Sequence, residues 1–420
     1  MRSLDTIEWG VEHGSMTTTT ITAPAVAPTR GIPHGISFWM IATVFLTQMA
    51  FCAVPTPLYA IYQQRDGFPT LVLTVIFVVY AVGVMLSLYL AGHLSDRLGR
   101  RRIILASLAL NLVAAVLFLV WNDVAGLIVA RFICGLGIGI LTATATAHIA
   151  ELGVAAGRSP LRSGIVSTFA NLGGIGIGPL VAGVMATFIV QPLVAPYVLF
   201  AVLFIAEGLV VLFVPETVEQ SAERFAYRPQ RIAVPAAARG AYIAAAAAAF
   251  GAFAVFGTFT GLSSTFLVGL LGVRSHLLGG VVPFLVFMAA ALAQIVTVRM
   301  AIRAQMMLAL TAAVFGFAGL ALGALAASLV LFLIGCGLAG AGVGIVFRAS
   351  LGTVAGLADA ARRGEALAGI FLVAYAGMTI PPLLTAAALT VWQVATVVVV
   401  IAVLMAALVV GSGWRMLREA

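Results

Sequence analysis

Residues 92–102 read GHLSDRLGRRR, between the apolar runs LVLTVIFVVYAVGVMLSLYLA (71–91) and IILASLALNLVAAVLFLV (103–120). Five charged side chains and two glycines occupy this eleven-residue connection. A solubilising loop needs charge but not the glycines, and a turn in a soluble protein is not flanked by apolar runs of about 20 residues. The stretch therefore reads as a shaped, basic connection between two membrane-crossing helices.

The composition agrees. The chain has 420 residues, 63% hydrophobic and 9% charged, with a mean hydropathy of +1.17. Soluble domains carry about 25% charged residues. In lipid the main chain must satisfy its own hydrogen bonds, so only helices or closed barrels span. The apolar runs here are continuous rather than alternating, which selects helices. All 22 basic residues are arginine, so a GxxxxGK[ST] phosphate loop is excluded. There is also no HExxH or GxSxG pattern, and an enzyme is not expected. Cys52, Cys134 and Cys336 lie within apolar runs without metal-ligand spacing and read as small core residues. No cofactor and no metal are expected.

Marking the apolar runs and their Gly, Pro and Arg breaks predicts twelve spans, near 37–62, 70–91, 103–121, 124–149, 163–190, 196–214, 241–270, 277–298, 304–326, 329–354, 366–388 and 393–412. The Thr-, Pro- and Ala-rich start predicts a disordered cytoplasmic tail over 1–35. Two six-helix units are expected over 36–214 and 241–414, joined by a polar cytoplasmic connection over 215–240, with a short tail over 415–420. With both termini cytoplasmic, 18 arginines fall in inner segments and two, Arg65 and Arg274, in outer ones; Arg131 and Arg348 lie within spans. That bias sets the expected orientation. It also accounts for the net charge of +8 without a nucleic-acid partner.

The halves repeat. GLGIGI (135–140) in span four matches GAGVGI (340–345) in span ten, and IGPLVA (177–182) in span five matches IPPLLT (380–385) in span eleven. Offsets of 205 and 203 residues in corresponding spans point to two related six-helix units. Such repeats enclose a site near the membrane midplane and alternate its access by rocking.

Gly92, Leu94, Asp96, Arg97, Gly99, Arg100, Arg101 and Ile104 resemble the loop between spans two and three of the major facilitator superfamily. GIGIGPLVAG (174–183) is similar to the span-five pattern of its drug–proton antiporters, with Ala182 in place of a glycine, and PET (215–217) is familiar from the same branch. The resemblance implies an all-α protein of two six-helix bundles around a cavity lined mainly by spans one, four, seven and ten. It also implies that Asp96 closes the cytoplasmic side against the N-terminus of span eleven, with Arg97 and Arg101 in the same latch, and that Arg100 reaches Glu151.

Other candidates come from the residues themselves. Arg131 lies seven residues into span four, about 10 Å deep. An arginine there costs about 2.5 to 3.5 kcal/mol unless it faces protein or water. Gly135, Gly139, Thr142 and Thr146 share its stripe, which suggests either a cavity cation or a donor to main-chain carbonyls. Arg348 sits toward the inner end of span ten and is a second cavity candidate or a snorkelling anchor. Gln48, Asn171 and Gln294 could line the cavity or join helices. Glu207 is the only acid well inside an apolar run and is a proton-carrier candidate; His148 with Glu151 is another. Pro179 with Gly174, Gly178 and Gly183 predicts a flexure in span five, and Pro55 and Pro57 a break in span one.

Span one holds no acid, unlike many drug–proton antiporters, which puts proton coupling elsewhere than span one. The expected protein is a monomeric, multi-pass transporter of a bacterial cytoplasmic (inner) membrane. It moves a small organic molecule, with protons as the coupling ion and the bilayer as its solvent. Export of amphipathic or drug-like compounds is expected, with proton symport of an anionic or neutral metabolite as the alternative.

Overall fold

The computed structural model describes residues 32–91, 94–218, 238–358 and 363–419. Residues 1–31, Gly92 and His93, and most of the central connection (219–237) lie outside the described residues. Among the described residues there is no strand. Eleven helices are long and apolar enough to cross a membrane. In chain order they are His34–Asp66 (span one), Thr70–Ala91, Arg100–Val120, Val124–Ala155, Pro160–Phe188 (span five), Arg239–Leu271 (span seven), His276–Arg299, Ile302–Leu325, Leu329–Leu357, Gly364–Ala388 and Val394–Arg418 (span twelve). Span six, Ala195–Val211, is a 17-residue apolar helix, about 25 Å long against a hydrocarbon core of about 30 Å. The expected tail at 415–420 instead continues span twelve as helix to Glu419.

Local chemistry sets several helix starts. Asp123 accepts from the Gly126 amide at 2.9 Å, Ser159 from Arg162, Ser275 from Leu278 and Ser328 from Leu331, which caps spans four, five, eight and ten. Span one breaks at Val54, where Pro55 and Pro57 open a second helix, Pro55–Asp66. Proline has no N–H, so the ladder is interrupted there. Span five carries a π-helical segment, Phe169–Gly173, directly ahead of the glycine-rich stretch that contains Pro179.

The packing has a repeating logic. Span four packs on spans one, two and three, and span three on span six; span ten packs on spans seven, eight and nine, and span nine on span twelve. Adding six to each number in the first set produces the second. The halves meet chiefly where span two touches span eleven and span five touches span eight, a pair of contacts that the same shift interchanges. The molecule is thus two similar six-helix bundles.

The repeated glycines make these contacts possible. Lipid tails are as apolar as leucine, so helices in a membrane gain from close approach rather than from leaving water. Gly135 and Gly139 pack on the main chain of span two at Tyr80 and Val84. Their counterparts Gly340 and Gly344 pack on span eight at Val286 and Ala290, offset by 205 or 206 residues. A Cβ on Gly83 would lie 3.1 Å from Cα of Gly135, and one on Gly319 would lie 3.1 Å from Cα of Gly335.

This geometry predicts opposite outcomes for two glycine substitutions. Gly135→Val should destabilise the detergent-solubilised protein by about 1–3 kcal/mol, because main-chain atoms of span two occupy the new side chain's space. Gly337→Ala meets nothing within 4 Å and should be neutral or stabilising by up to about 1 kcal/mol. Thermal melts of the two variants check this; equal melting temperatures would refute the packing assignment.

Candidate functional site

A cavity of about 310 Å3 lies between the two bundles. Its walls come from spans one, two, four, five, seven, eight, ten and eleven, four from each half, and from none of spans three, six, nine and twelve. The six-span shift maps that set onto itself. Because successive spans alternate in direction, Arg100, Arg158, Arg162, Arg239, Arg299 and Arg303 gather at one end of the bundle, here called the basic end. At the opposite end Leu58, Tyr59 and Tyr62 of span one are buried to 1% or less. There the halves come close: a Cβ on Gly261 would lie 3.1 Å from the Phe77 ring, and one on Gly279 would lie 3.8 Å from Pro57. Toward the basic end the lining turns polar and accessible, with Thr146 exposed and Asn171 and Arg348 half-buried. The cavity is closed at one end and open at the other.

Arg131 stands at the closed end, 2% exposed. Its Nη1 donates to the carbonyl of Cys52, beside the break in span one. The guanidinium carbon lies 4.5 Å from the Tyr80 ring centroid and 5.8 Å from that of Phe77. Arg131 both lines the cavity and serves a main-chain carbonyl. At the open end Arg348 Nη1 donates to the Gln294 carbonyl at 2.6 Å, and Gln294 Nε2 donates to Gly344 O at 2.8 Å. Thr142, Asn171, Arg348 and Gln294 all line the cavity. Among the described residues, its wall carries two arginines and no carboxylate.

Three expected cavity residues lie elsewhere. Gly135 and Gly139 are on the Arg131 stripe but are spent on contact with span two, whose main chain covers them. Gln48 is fully buried between helices, where its Oε1 accepts from Ser107 Oγ at 2.6 Å and Asn111 Nδ2 at 2.7 Å. It faces span three rather than the cavity. The proton-carrier candidates are also outside the cavity wall. Glu207 is 9% exposed, turned inward from span six toward Thr47 of span one, and its Oε2 has no hydrogen-bond partner. His148 is buried with Nε2 3.2 Å from the Pro215 carbonyl.

The loop 94–102 works as a clamp inside the first bundle. Arg100 Nη2 is 2.9 Å from Glu151 Oε1 on span four, and Arg100 Nη1 pairs with Asp96. Thr217 donates to the other Glu151 oxygen. Asp96 was expected against span eleven; here its side chain is 64% exposed and its ion pair is with Arg100, because the cavity opens at this end. Gly92, the first residue of the motif, falls outside the described residues. Arg97 is exposed. Arg101 Nη1 donates to the Leu212 carbonyl at 3.2 Å, at the C-terminal end of span six.

Sequence reasoning missed Glu216. Its Oε1 accepts from the Arg100 amide at 2.8 Å and its Oε2 from the Arg101 amide at 3.1 Å, so a carboxylate caps the N-terminus of span three. Gly99 is required for this. It has φ +98°, and a Cβ there would lie 2.9 Å from the Glu216 carboxyl carbon. No periodicity links the two positions; only the motif PET hinted at a role. In span five, Gly178 and Gly174 pack on the main chain of span one, and Gly183 on that of span eight, with Pro179 between them.

The clamp predicts an order of stabilities. Glu151→Gln breaks the half-buried pair with Arg100 and weakens the Thr217 bond, and should cost about 1–3 kcal/mol. Asp96→Asn alters an exposed pair and should cost under about 1 kcal/mol. Thermal melting of both variants tests the order, and an Asp96→Asn loss as large as that of Glu151→Gln would contradict it.

Residues 31–368 match the Major Facilitator Superfamily. Over 106 residues the chain is 37% identical to the arabinose-proton symporter of Bacillus subtilis (strain 168), a match that covers 25% of this chain and about a fifth (21%) of that relative. Among solved structures, the human organic anion transporter MFSD10 (TETRAN) aligns over 92% of this chain and all (100%) of its own, with TM-score 0.64 and 16% identity. A mutant of the nucleoside transporter NupG aligns over 91% of this chain and 99% of its own, with TM-score 0.69 and 11% identity. At such identities the structures speak for the fold alone. With the paired six-helix bundles and the cavity between them, the match over most of the chain makes this protein a member of the major facilitator superfamily.

Proposed function

We propose that the protein is a secondary transporter that carries a small, non-cationic organic solute across the cytoplasmic membrane by alternating access. The basic end faces the cytoplasm in this reading, following the arginine bias, and the conformation described here is the inward-facing one. The observation that carries the proposal is the cavity wall: eight spans, four from each half, closed at one end and open at the other. Two similar bundles can exchange their open and closed ends by rocking, because each contact between the halves has a counterpart. Protons are the proposed coupling ion. The relative with 37% identity over 106 residues is named a proton symporter, and Glu207 supplies a buried acid whose Oε2 has no partner.

Uptake with a proton is the reading favoured by a wall of two arginines without a carboxylate. Export is a second reading, supported by the span-five pattern GIGIGPLVAG, which lies where span five packs on spans one and eight. Solute flux in vesicles of known orientation under an imposed pH gradient separates the two.

Native Cys52 lines the cavity near its closed end and Thr146 near its open end, so thiol labelling tests alternating access. In membranes of known sidedness, Thr146→Cys should react with an impermeant thiol reagent from the cytoplasmic side. Cys52 should react slowly from the outer side as the protein visits its other conformation. Cys52 labelling confined to the cytoplasmic side would reject alternating access, and simultaneous access from both sides would indicate a channel. If Glu207 carries the proton, Glu207→Gln should reduce pH-driven flux by about tenfold or more while solute exchange persists. Unchanged gradient-driven flux would remove Glu207 from the mechanism.

A further inference from the structure

The cavity wall is short of a negative charge. Arg131 is 2% exposed, and among the described residues no carboxylate pairs with it. Its Nη1 is satisfied by Cys52, but its Nε has no hydrogen-bond partner. Buried polar atoms are nearly always paired, so this orphan donor on a cavity-lining side chain calls for an acceptor. A buried, uncompensated guanidinium calls for an anion. The second cation of the wall, Arg348, stands at the open end and leaves the interior positive from mouth to floor.

The facing wall has a different chemistry. Phe253 of span seven, Phe347 of span ten, and Phe371 and Tyr375 of span eleven line the cavity together. Their ring centroids lie 4.9 Å apart for Phe253 and Phe347, 5.1 Å for Phe253 and Tyr375, and 6.1 Å for Phe347 and Phe371, with tilted or edge-on planes. Such a surface offers both ring faces and ring edges to another aromatic ring. All four belong to the second bundle, whereas Arg131 belongs to the first.

We infer that the cavity takes an organic monoanion with an aromatic ring, of the aryl carboxylate class. The carboxylate is held by Arg131 on the first bundle, and the ring packs on Phe253 and Tyr375 of the second. This inference rests on the transporter reading and narrows its solute. Guanidinium offers a carboxylate parallel donors that a neutral group cannot match, while an organic cation would meet two arginines and no counter-charge. A cavity of about 310 Å3 is at the lower end of ligand sites, about 300–1,000 Å3, which suits one or two rings. A solute that touches both bundles also draws them together, so occupancy favours closure of the open end.

Binding to the purified full chain tests this, by calorimetry and thermal melting, with 2-naphthoate, the neutral 2-naphthamide and the cationic 2-naphthylmethylamine as probes. Benzoate against cyclohexanecarboxylate tests the ring. The expected result is saturable 2-naphthoate binding that raises the melting temperature, naphthamide weaker by about tenfold or more, and no binding of the amine. Benzoate should likewise exceed cyclohexanecarboxylate. Arg131→Gln should bind acid and amide alike, and Phe253→Ala should lose the ring preference while keeping the acid preference. If Arg131→Gln fails to fold, the acid-to-amide ratio of the unaltered protein and the Phe253→Ala result still decide. Amine binding as tight as acid binding, an acid preference that survives Arg131→Gln, or no saturable binding of any acid would overturn the inference. Slow outer-side labelling of Cys52, without simultaneous access from both sides, together with no acid binding would leave the transporter reading intact and remove this one. Acid binding without outer-side labelling of Cys52 would do the reverse.

Discussion

A bilayer offers the main chain no hydrogen-bond partner, and every departure from regular helix in this protein must find its own. The break in span one at Val54–Pro55 is the departure on which the cavity depends. Proline interrupts the ladder, and the Cys52 carbonyl beside the break receives Arg131 from span four. The same bond fixes a guanidinium against Tyr80 at the floor of the cavity. One residue thus serves the broken backbone and leaves a charge facing the space between the bundles. The π-helical segment Phe169–Gly173 makes a related compromise in span five, and Asn171 within it lines the same cavity. Irregular backbone occurs here where it borders the cavity rather than lipid.

The two-fold relation between the halves rests on glycine. Helices in lipid are held by close main-chain approach, and a GxxxG spacing presents one flat strip per helix. Gly135 and Gly139 present that strip to span two, Gly340 and Gly344 to span eight. The bundles are therefore rigid where glycines meet main chain inside each half. Between the halves, spans two, five, eight and eleven make the contacts, in pairs that the six-span shift exchanges. That division, firm within bundles and symmetric between them, is what the proposed rocking requires.

In the described conformation the basic loop makes its contacts within one half of the molecule. Arg100, Glu151, Asp96 and Thr217 form one network, and Glu216 caps span three through the space left by Gly99. All of these residues lie in the first bundle or just after it. In this conformation the loop ties spans three, four and six into one body, and the Asp96 side chain, paired with Arg100, is exposed. A latch between halves needs the two bundles close at this end, and here the cavity separates them.

Much of the architecture was legible in the residues. Apolar run length, set by bilayer thickness, located the spans, and the shared offset of GLGIGI and GAGVGI identified the two halves. Arg131, Thr142, Asn171 and Arg348 were recognisable as polar residues in apolar helices, where each needs a reason to be present. The aromatic wall was not recognisable: Phe253, Phe347, Phe371 and Tyr375 are ordinary members of apolar runs until three separate spans converge. Gln48 read equally as a cavity residue or a join between helices, and it bonds Ser107 and Asn111, because rotation about a helix axis decides which neighbour a side chain meets. Glu216 lies 116 positions from the amide it caps, and no local pattern spans that distance. The sequence by itself determined the helices, their breaks, their pairing into halves and the scarcity of acid, since these follow from solvation and local geometry. Only the tertiary structure decided that Arg131 Nε stays unpaired and which rings share the cavity wall with it, because those are properties of side chains brought together from segments far apart in the chain.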